Sequence, residues 1–141
     1  MIPIVLSAEL KRQIESEGAR AYPNECCGVM LGCDTATQRI VERLMPVANV
    51  FDETERYHRF SISPKQLMDA ERIASEEGRL VLGFYHSHPD HPARPSEYDR
   101  SHAWPFYSYV IVSIEDRRPG SMTSWVLVET TEQFQQQEVI A

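Results

Sequence analysis

The sequence predicts an α/β domain, bordering on α+β, in which a mixed β-sheet is flanked by helices. Three observations carry that prediction. A helix with a strong start signal at Ser63-Pro64 feeds directly into a strongly apolar strand, Leu80 to His88. Two pairs of extended stretches, Gly28 to Gly32 with Arg39 to Pro46 and Tyr107 to Ile114 with Met122 to Val128, are each joined through turn residues, as hairpins are. An amphipathic helix near the N-terminus supplies a second element to cover the sheet. The 141 residues suit one domain with one core, and no repeat or linker divides them.

Taken in order, Ser7 can cap a helix with Glu9 in its first turn and Leu10 and Ile14 on its apolar side. Gly18 weakens that helix and Pro23 ends it. Gly28 to Gly32 is a short apolar run that reads as a buried strand. Asp34 to Thr37 reads as a turn, and Arg39 to Pro46 as the returning strand. Asn49 to Tyr57 is a polar connection, either a surface loop or a mobile flap bordering a substrate groove. His58 to Ile62 is extended, with Phe60 and Ile62 on one face. Ser63 then caps a helix, Pro64 takes its first position and Gln66 completes a capping box. Leu67, Ala70, Ile73 and Ala74 form its buried stripe, and Gly78 stops it. Pro89 stops the strand that follows. Asp116 to Gly120 reads as a turn between the last two long strands, with Pro119 and Gly120 at positions that fit a type II geometry. The tail carries Gln135 to Gln137 and ends apolar at Val139-Ile140, which can add an edge strand.

Composition excludes some classes of function. Acidic residues outnumber basic ones by 21 to 14, a formal net charge of -7, so a nucleic-acid backbone is not an expected partner. No stretch approaches the roughly 18 apolar residues of a membrane span, and the N-terminus lacks the basic region of a secretory signal. A cytoplasmic protein is expected, with no membrane partner. Three cysteines, Cys26, Cys27 and Cys33, do not describe a disulfide framework, and no Cys-x-x-Cys spacing exists for a zinc knuckle. They read as small buried residues, with a cysteine nucleophile as the sharper alternative.

The chemistry concentrates between Val81 and Asp99, VLGFYHSHPDHPARPSEYD. His86 and His88, two apart on a strand, project from one face. Ser96-Glu97-Tyr98-Asp99 after Pro95 is a helix start that places Asp99 on the first turn. The loop from Pro89 to Pro95 is long enough to fold that turn over the strand end. Two imidazoles and a carboxylate suit zinc, and three protein ligands leave a fourth position for water, as catalytic sites do. Spacing alone leaves a second reading open: His-x-His pairs occur on surface strands by chance, and Asp99 could simply complement the helix dipole.

His86-Ser87-His88-Pro89, followed by Ser96 after seven residues and Asp99 after two more, resembles the signature of the JAMM (MPN-plus) metalloproteases. Glu25, within Pro23-Asn24-Glu25-Cys26-Cys27-Gly28, matches the context of the upstream glutamate of that signature. The likeness continues through Arg59-Phe60-Ser61-Ile62-Ser63-Pro64 and runs from about Ser7 to about Val128. It implies the cytidine-deaminase-like JAMM/MPN fold, Zn2+ held by His86, His88 and Asp99, Glu25 as general base, and Ser96 as oxyanion donor as well as helix cap. Family members cut amide bonds after the C-terminal Gly-Gly of ubiquitin or ubiquitin-like proteins. The short span between Asp99 and Tyr107 resembles the compact prokaryotic type. That resemblance implies a ubiquitin-like sulfur-carrier protein as substrate, with cysteine release in cysteine biosynthesis as the leading expectation. A peptidase of cell-wall or other short peptides and a non-catalytic MPN scaffold are the rivals, and the scaffold is disfavoured because all the ligand types are present. A homodimer stays open. Asp90 and His91 read as exposed loop residues, and His102 as a support for the ligand shell. Ser87 should face away from the two histidines.

Overall fold

Ser7 opens the first helix as its spacing predicts, its hydroxyl accepting the Leu10 N–H at 3.2 Å. The computed structural model describes residues 1–49 and 60–141. Of the polar connection read from Asn49 to Tyr57, all but Asn49 lies outside the described residues, as do His58 and Arg59. The described elements are β1 (Ile4–Val5), α1 (Ala8–Ala21), β2 (Cys27–Asp34), β3 (Arg39–Val47), α2 (Pro64–Glu76), β4 (Leu80–Pro89), α3 (Glu97–Ser101), β5 (Ser108–Glu115), β6 (Arg118–Val128), β7 (Gln133–Gln137) and β8 (Val139–Ile140).

The described strands form one mixed sheet in the order β7-β6-β5-β4-β2-β3-β1-β8. β4 pairs parallel with β5, and β1 pairs parallel with β3 and β8; the remaining neighbours are antiparallel. The α/β layering is therefore as expected. β4 lies mid-sheet, hydrogen-bonded on both sides, and is buried from Leu82 to Pro89.

Each face of the sheet carries one long helix. On one face α1 covers a core built from Ile14, Met30, Leu44, Tyr85, Val110 and Ile114. On the other, α2 sets Ala70 and Ala74 against Val29, Leu31, Phe84 and Tyr109. Gly18, buried within α1, lets the helix approach closely: a Cβ there would lie 2.8 Å from the Ile114 side chain. The glycine that lowers helix propensity is thus what allows the helix to seat. The predicted capping box of α2 is present in both directions, with Ser63 Oγ accepting from Gln66 N–H and Gln66 Oε1 accepting from Ser63 N–H.

Three features depart from the sequence reading. The turn between β5 and β6 is made by Asp116 and Arg117, both at positive φ, while Pro119 and Gly120 lie inside β6. A two-residue turn with both central residues left-handed matches the twist of the flanking strands, which a type II turn would splay. The N-terminal Ile4–Val5 pairs as β1 between β3 and β8. The tail does more than add one edge. β7 and β8 follow one another in the chain yet end opposite sides of the strand order, so the sheet curls until its ends approach. Gln137, only 3% exposed, joins them: Ser108 and Ser124 hydroxyls both donate to its Oε1 at 2.8 Å, and its Nε2 donates to the Ile2 carbonyl at 3.0 Å. Among the described residues, no helix is long and apolar enough to cross a membrane.

Candidate metal centre

Strand alternation sets the site. His86 and His88 point to the α2 side of β4, and Ser87 between them points to the α1 side, its Cβ close against Gly18. α3 begins where predicted, with Ser96 as its cap and Asp99 at the third helical position. The loop brings that turn over the strand end. His86 Nε2 and His88 Nε2 lie 3.1 Å apart, and Asp99 Oδ2 lies 3.3 Å from the first and 3.1 Å from the second.

This triangle has the dimensions of a metal-ligand face. With bonds of roughly 2.0–2.1 Å, the ligand atoms of a tetrahedral ion lie about 3.3–3.4 Å apart. The hydrogen bonding around it agrees. His88 Nδ1 is 2.8 Å from the Pro92 carbonyl, a contact that aims Nε2 at the shared point. Two imidazole nitrogens and a carboxylate oxygen converge there, a donor set that suits a cation. Two buried polar atoms beside it, Glu25 Oε1 and His86 Nδ1, have no hydrogen-bond partner among the described residues. The donor set therefore fits a divalent metal.

Charge states follow from burial and neighbours. Burial holds the fully enclosed His86 imidazole below its ordinary value, favouring the neutral ligand form. Burial alone would raise Asp99, but His86, His88 and the Ser96 N–H together hold its carboxyl well below the usual carboxylate range. Glu25 goes the other way. It is 6% exposed, and burial, then the negative charge of Asp99, pushes its carboxyl up to about 9. A cation between the two carboxylates would oppose that rise.

Glu25 belongs to the same cluster at longer range. One ligand atom each from Glu25, His86 and His88 lie within 4.8 Å of one another, so two carboxylates compete as third ligand. Asp99 completes the tighter triangle, and Glu25 stands farther out. Its place comes from the β2–β4 register: Cys27 pairs with His86, so Glu25, just ahead of β2, lies by the site end of β4.

The other candidates sort out around this centre. Ser96 Oγ accepts the Asp99 N–H at 3.0 Å, which leaves the hydroxyl hydrogen able to donate elsewhere. His102 does not support the ligand shell: it ends α3, stacks on Tyr98 at 4.0 Å and bonds Ser101 and the Tyr98 carbonyl. A residue three positions past Asp99 on a one-turn helix is used up by that helix's own end. Asp90 is a junction rather than a ligand, accepting from the Tyr22 hydroxyl and the Asp116 N–H. His91 is exposed. The cysteines are free. Burial pushes the Cys26 thiol up to about 11 and raises Cys27 as well, which disfavours thiolate chemistry.

The sequence placed Phe60 on one extended face with Ile62 but gave it no role at the site; its ring stacks on His86 with centroids 4.3 Å apart. Phe60 also lines a cleft of about 490 Å³ that opens onto His86 and Asp99, together with Leu67, Phe84, Tyr98, Trp104 and Phe134.

Comparison with known proteins agrees with this geometry. Residues 7–128 match the family model described as prokaryotic homologs of the JAB domain. A desampylase of Haloferax volcanii is 36% identical over 117 residues, covering 79% of this chain and 81% of that protein. A CysO-cysteine peptidase of Mycobacterium tuberculosis is 28% identical over 127 residues, covering 89% and 84%. A JAB1/MPN domain protein from Archaeoglobus fulgidus shares the fold, with a TM-score of 0.59 at 20% identity over 99% of this chain and 100% of that one. The match spans the long strands β2 to β6 and the helices α1 and α2, and on it the chain belongs to the family of prokaryotic homologs of the JAB domain.

Proposed function

We propose that the protein is a zinc-dependent peptidase that hydrolyses the amide bond after the C-terminal Gly-Gly of a ubiquitin-like sulfur-carrier protein, with cysteine as the leading leaving group. The observation that carries the reading is the triangle of His86 Nε2, His88 Nε2 and Asp99 Oδ2, 3.1–3.3 Å on each edge, with the buried Glu25 carboxyl within 4.8 Å of the imidazoles. Similarity to a CysO-cysteine peptidase supports cysteine as the group released.

His86, His88 and Asp99 are the residues that would hold the metal, and the borderline-soft N,N,O set favours zinc. Bound there, a metal supplies Lewis acidity, lowering the pKa of a water from about 15.7 to about 7. Glu25 is the general base. Its carboxylate takes a proton from the attacking water and delivers it to the amine as the carbon–nitrogen bond breaks. Water oxygen ends on the carrier's carboxylate and the proton on the released amine. Ser96 donates its hydroxyl hydrogen to the carbonyl oxygen as negative charge develops there. The apolar cleft excludes water and receives the extended chain beside the scissile bond. The reading takes residues 1–141 as one domain acting in the cytoplasm, with neither nucleic acid nor membrane as partner.

The test is incubation of the metal-loaded protein with carrier–cysteine adducts, with and without a chelator, followed by mass spectrometry. Release of cysteine that stops on chelation, and that fails on a carrier lacking its Gly-Gly tail, is the expected result. Cleavage indifferent to the tail would favour a peptidase of short peptides, and no cleavage by loaded protein would overturn the reading.

A further inference from the structure

We propose that Ser87 and Asn49 are positioning residues for Glu25, acting through the single peptide unit that joins Glu25 to Cys26. The inference rests on the reading of Glu25 as general base. That peptide is held at both ends by side chains. Its N–H, from Cys26, donates to Ser87 Oγ at 2.8 Å, and its carbonyl, from Glu25, accepts from Asn49 Nδ2 at 3.3 Å. Neither holder is loose. Ser87 is fully buried, and its own N–H donates to the Cys26 carbonyl at 3.1 Å. Asn49 Oδ1 accepts the Ser61 N–H at 3.0 Å, which fixes which way its amide faces and ties it to the residue after Phe60.

The need for such a clamp follows from the fold. Glu25 precedes β2, whose ladder to β4 starts at Cys27, so the sheet does not hold its backbone. Its Oε1 has no hydrogen-bond partner among the described residues either. The direction of the carboxyl is therefore set from the backbone end. Ser87 is well placed for this because it sits between His86 and His88 and faces the opposite side of β4. One strand residue thus locks the base to the two imidazoles without entering the site. A shift of about 1 Å in such a group can cost on the order of 100-fold in rate.

The experiment measures kcat, KM and bound metal for Ser87→Ala and Asn49→Ala, alone and combined with Glu25→Gln, with thermal melts to establish folding. Each single variant should lower kcat at least tenfold at unchanged KM and metal content, and neither should lower the residual kcat of Glu25→Gln further. Asn49, which is partly exposed, keeps the test open if Ser87→Ala does not fold. Wild-type kcat in the folded single variants, or an equal proportional loss in the Glu25→Gln background, overturns the proposal. Full activity of Glu25→Gln itself would instead sink the reading of Glu25 as the base.

Discussion

Ser96 and Asp99 hold each other through two reciprocal hydrogen bonds, and one of the atoms involved is also the site's carboxylate ligand candidate. Asp99 N–H donates to Ser96 Oγ at 3.0 Å, and Ser96 N–H donates to Asp99 Oδ2 at 2.9 Å. The same Oδ2 lies 3.1 Å from His88 Nε2. The start of a five-residue helix and the geometry of the metal centre therefore share an oxygen. Asp99→Asn separates the two roles. The amide oxygen can still accept the Ser96 N–H, but it brings no charge to the metal. Bound metal after dialysis should fall at least tenfold while the melting temperature of the metal-free protein stays within a few degrees of the parent.

Ser96→Ala removes the other half of the box. Loss of a helix cap costs about 1 kcal/mol. Loss of a donor to a developing oxyanion appears in turnover instead. Turnover should drop at least tenfold with the protein still folded and metal-loaded. Unchanged kcat in the folded variant would leave Ser96 with the cap alone.

How much of this was legible depended on chain distance. His86, His88, Ser96 and Asp99 lie within fourteen residues, and strand alternation plus one helix start places all four. The α2 capping box is equally local and equally readable. Glu25 is another matter, because its place depends on the pairing of β2 with β4, which no local pattern states; only the family resemblance pointed to it. Gln137 could not be read for the same reason: one of three consecutive glutamines, it finds its partners in Ser124, Ser108 and Ile2, the last 135 residues away. The turn between β5 and β6 is legible as the stretch Asp116 to Gly120, but the stronger local signal of Pro119-Gly120 points to the wrong central pair; the central residues are Asp116 and Arg117. The Asp90 carboxylate, reaching across from the loop after β4, accepts the Asp116 N–H. Phe60, Ser87 and Asn49 gave no sign of their roles, since each acts through a neighbour that only the folded chain supplies.

Gly28 tests the register that brings Glu25 to the site. It pairs with Tyr85 across β2 and β4, and a Cβ at Gly28 would lie 2.2 Å from the Tyr85 ring. The ring is fully buried and cannot swing clear without moving the core beneath α1. Gly28→Ala should destabilise the protein by about 1–3 kcal/mol, the usual cost of overpacking. Denaturant melts give that figure directly. A variant as stable as the parent would show that β2 and β4 can separate locally at no cost.

Behind the same strand, Tyr85 and Glu17 predict a pH dependence away from the metal. The Tyr85 hydroxyl lies 2.9 Å from both Glu17 carboxyl oxygens. Burial raises the Glu17 carboxyl above its ordinary value of 4.5, and the Tyr85 hydroxyl and Arg20 offset only part of that rise. The folded chain thus keeps this proton to higher pH than the unfolded chain does. Its contribution to stability is full below pH 4.5 and is lost as pH rises through the folded value. Tyr85→Phe removes the donor to the carboxylate, lifts the folded value further and steepens that loss. Allowing for solvent screening of a partly exposed carboxylate, the variant should lose about 1 kcal/mol more stability at pH 8 than at pH 4. Urea melts at the two pH values measure the difference. An equal loss at both would mean that the hydroxyl bonds the neutral acid as well as it bonds the carboxylate.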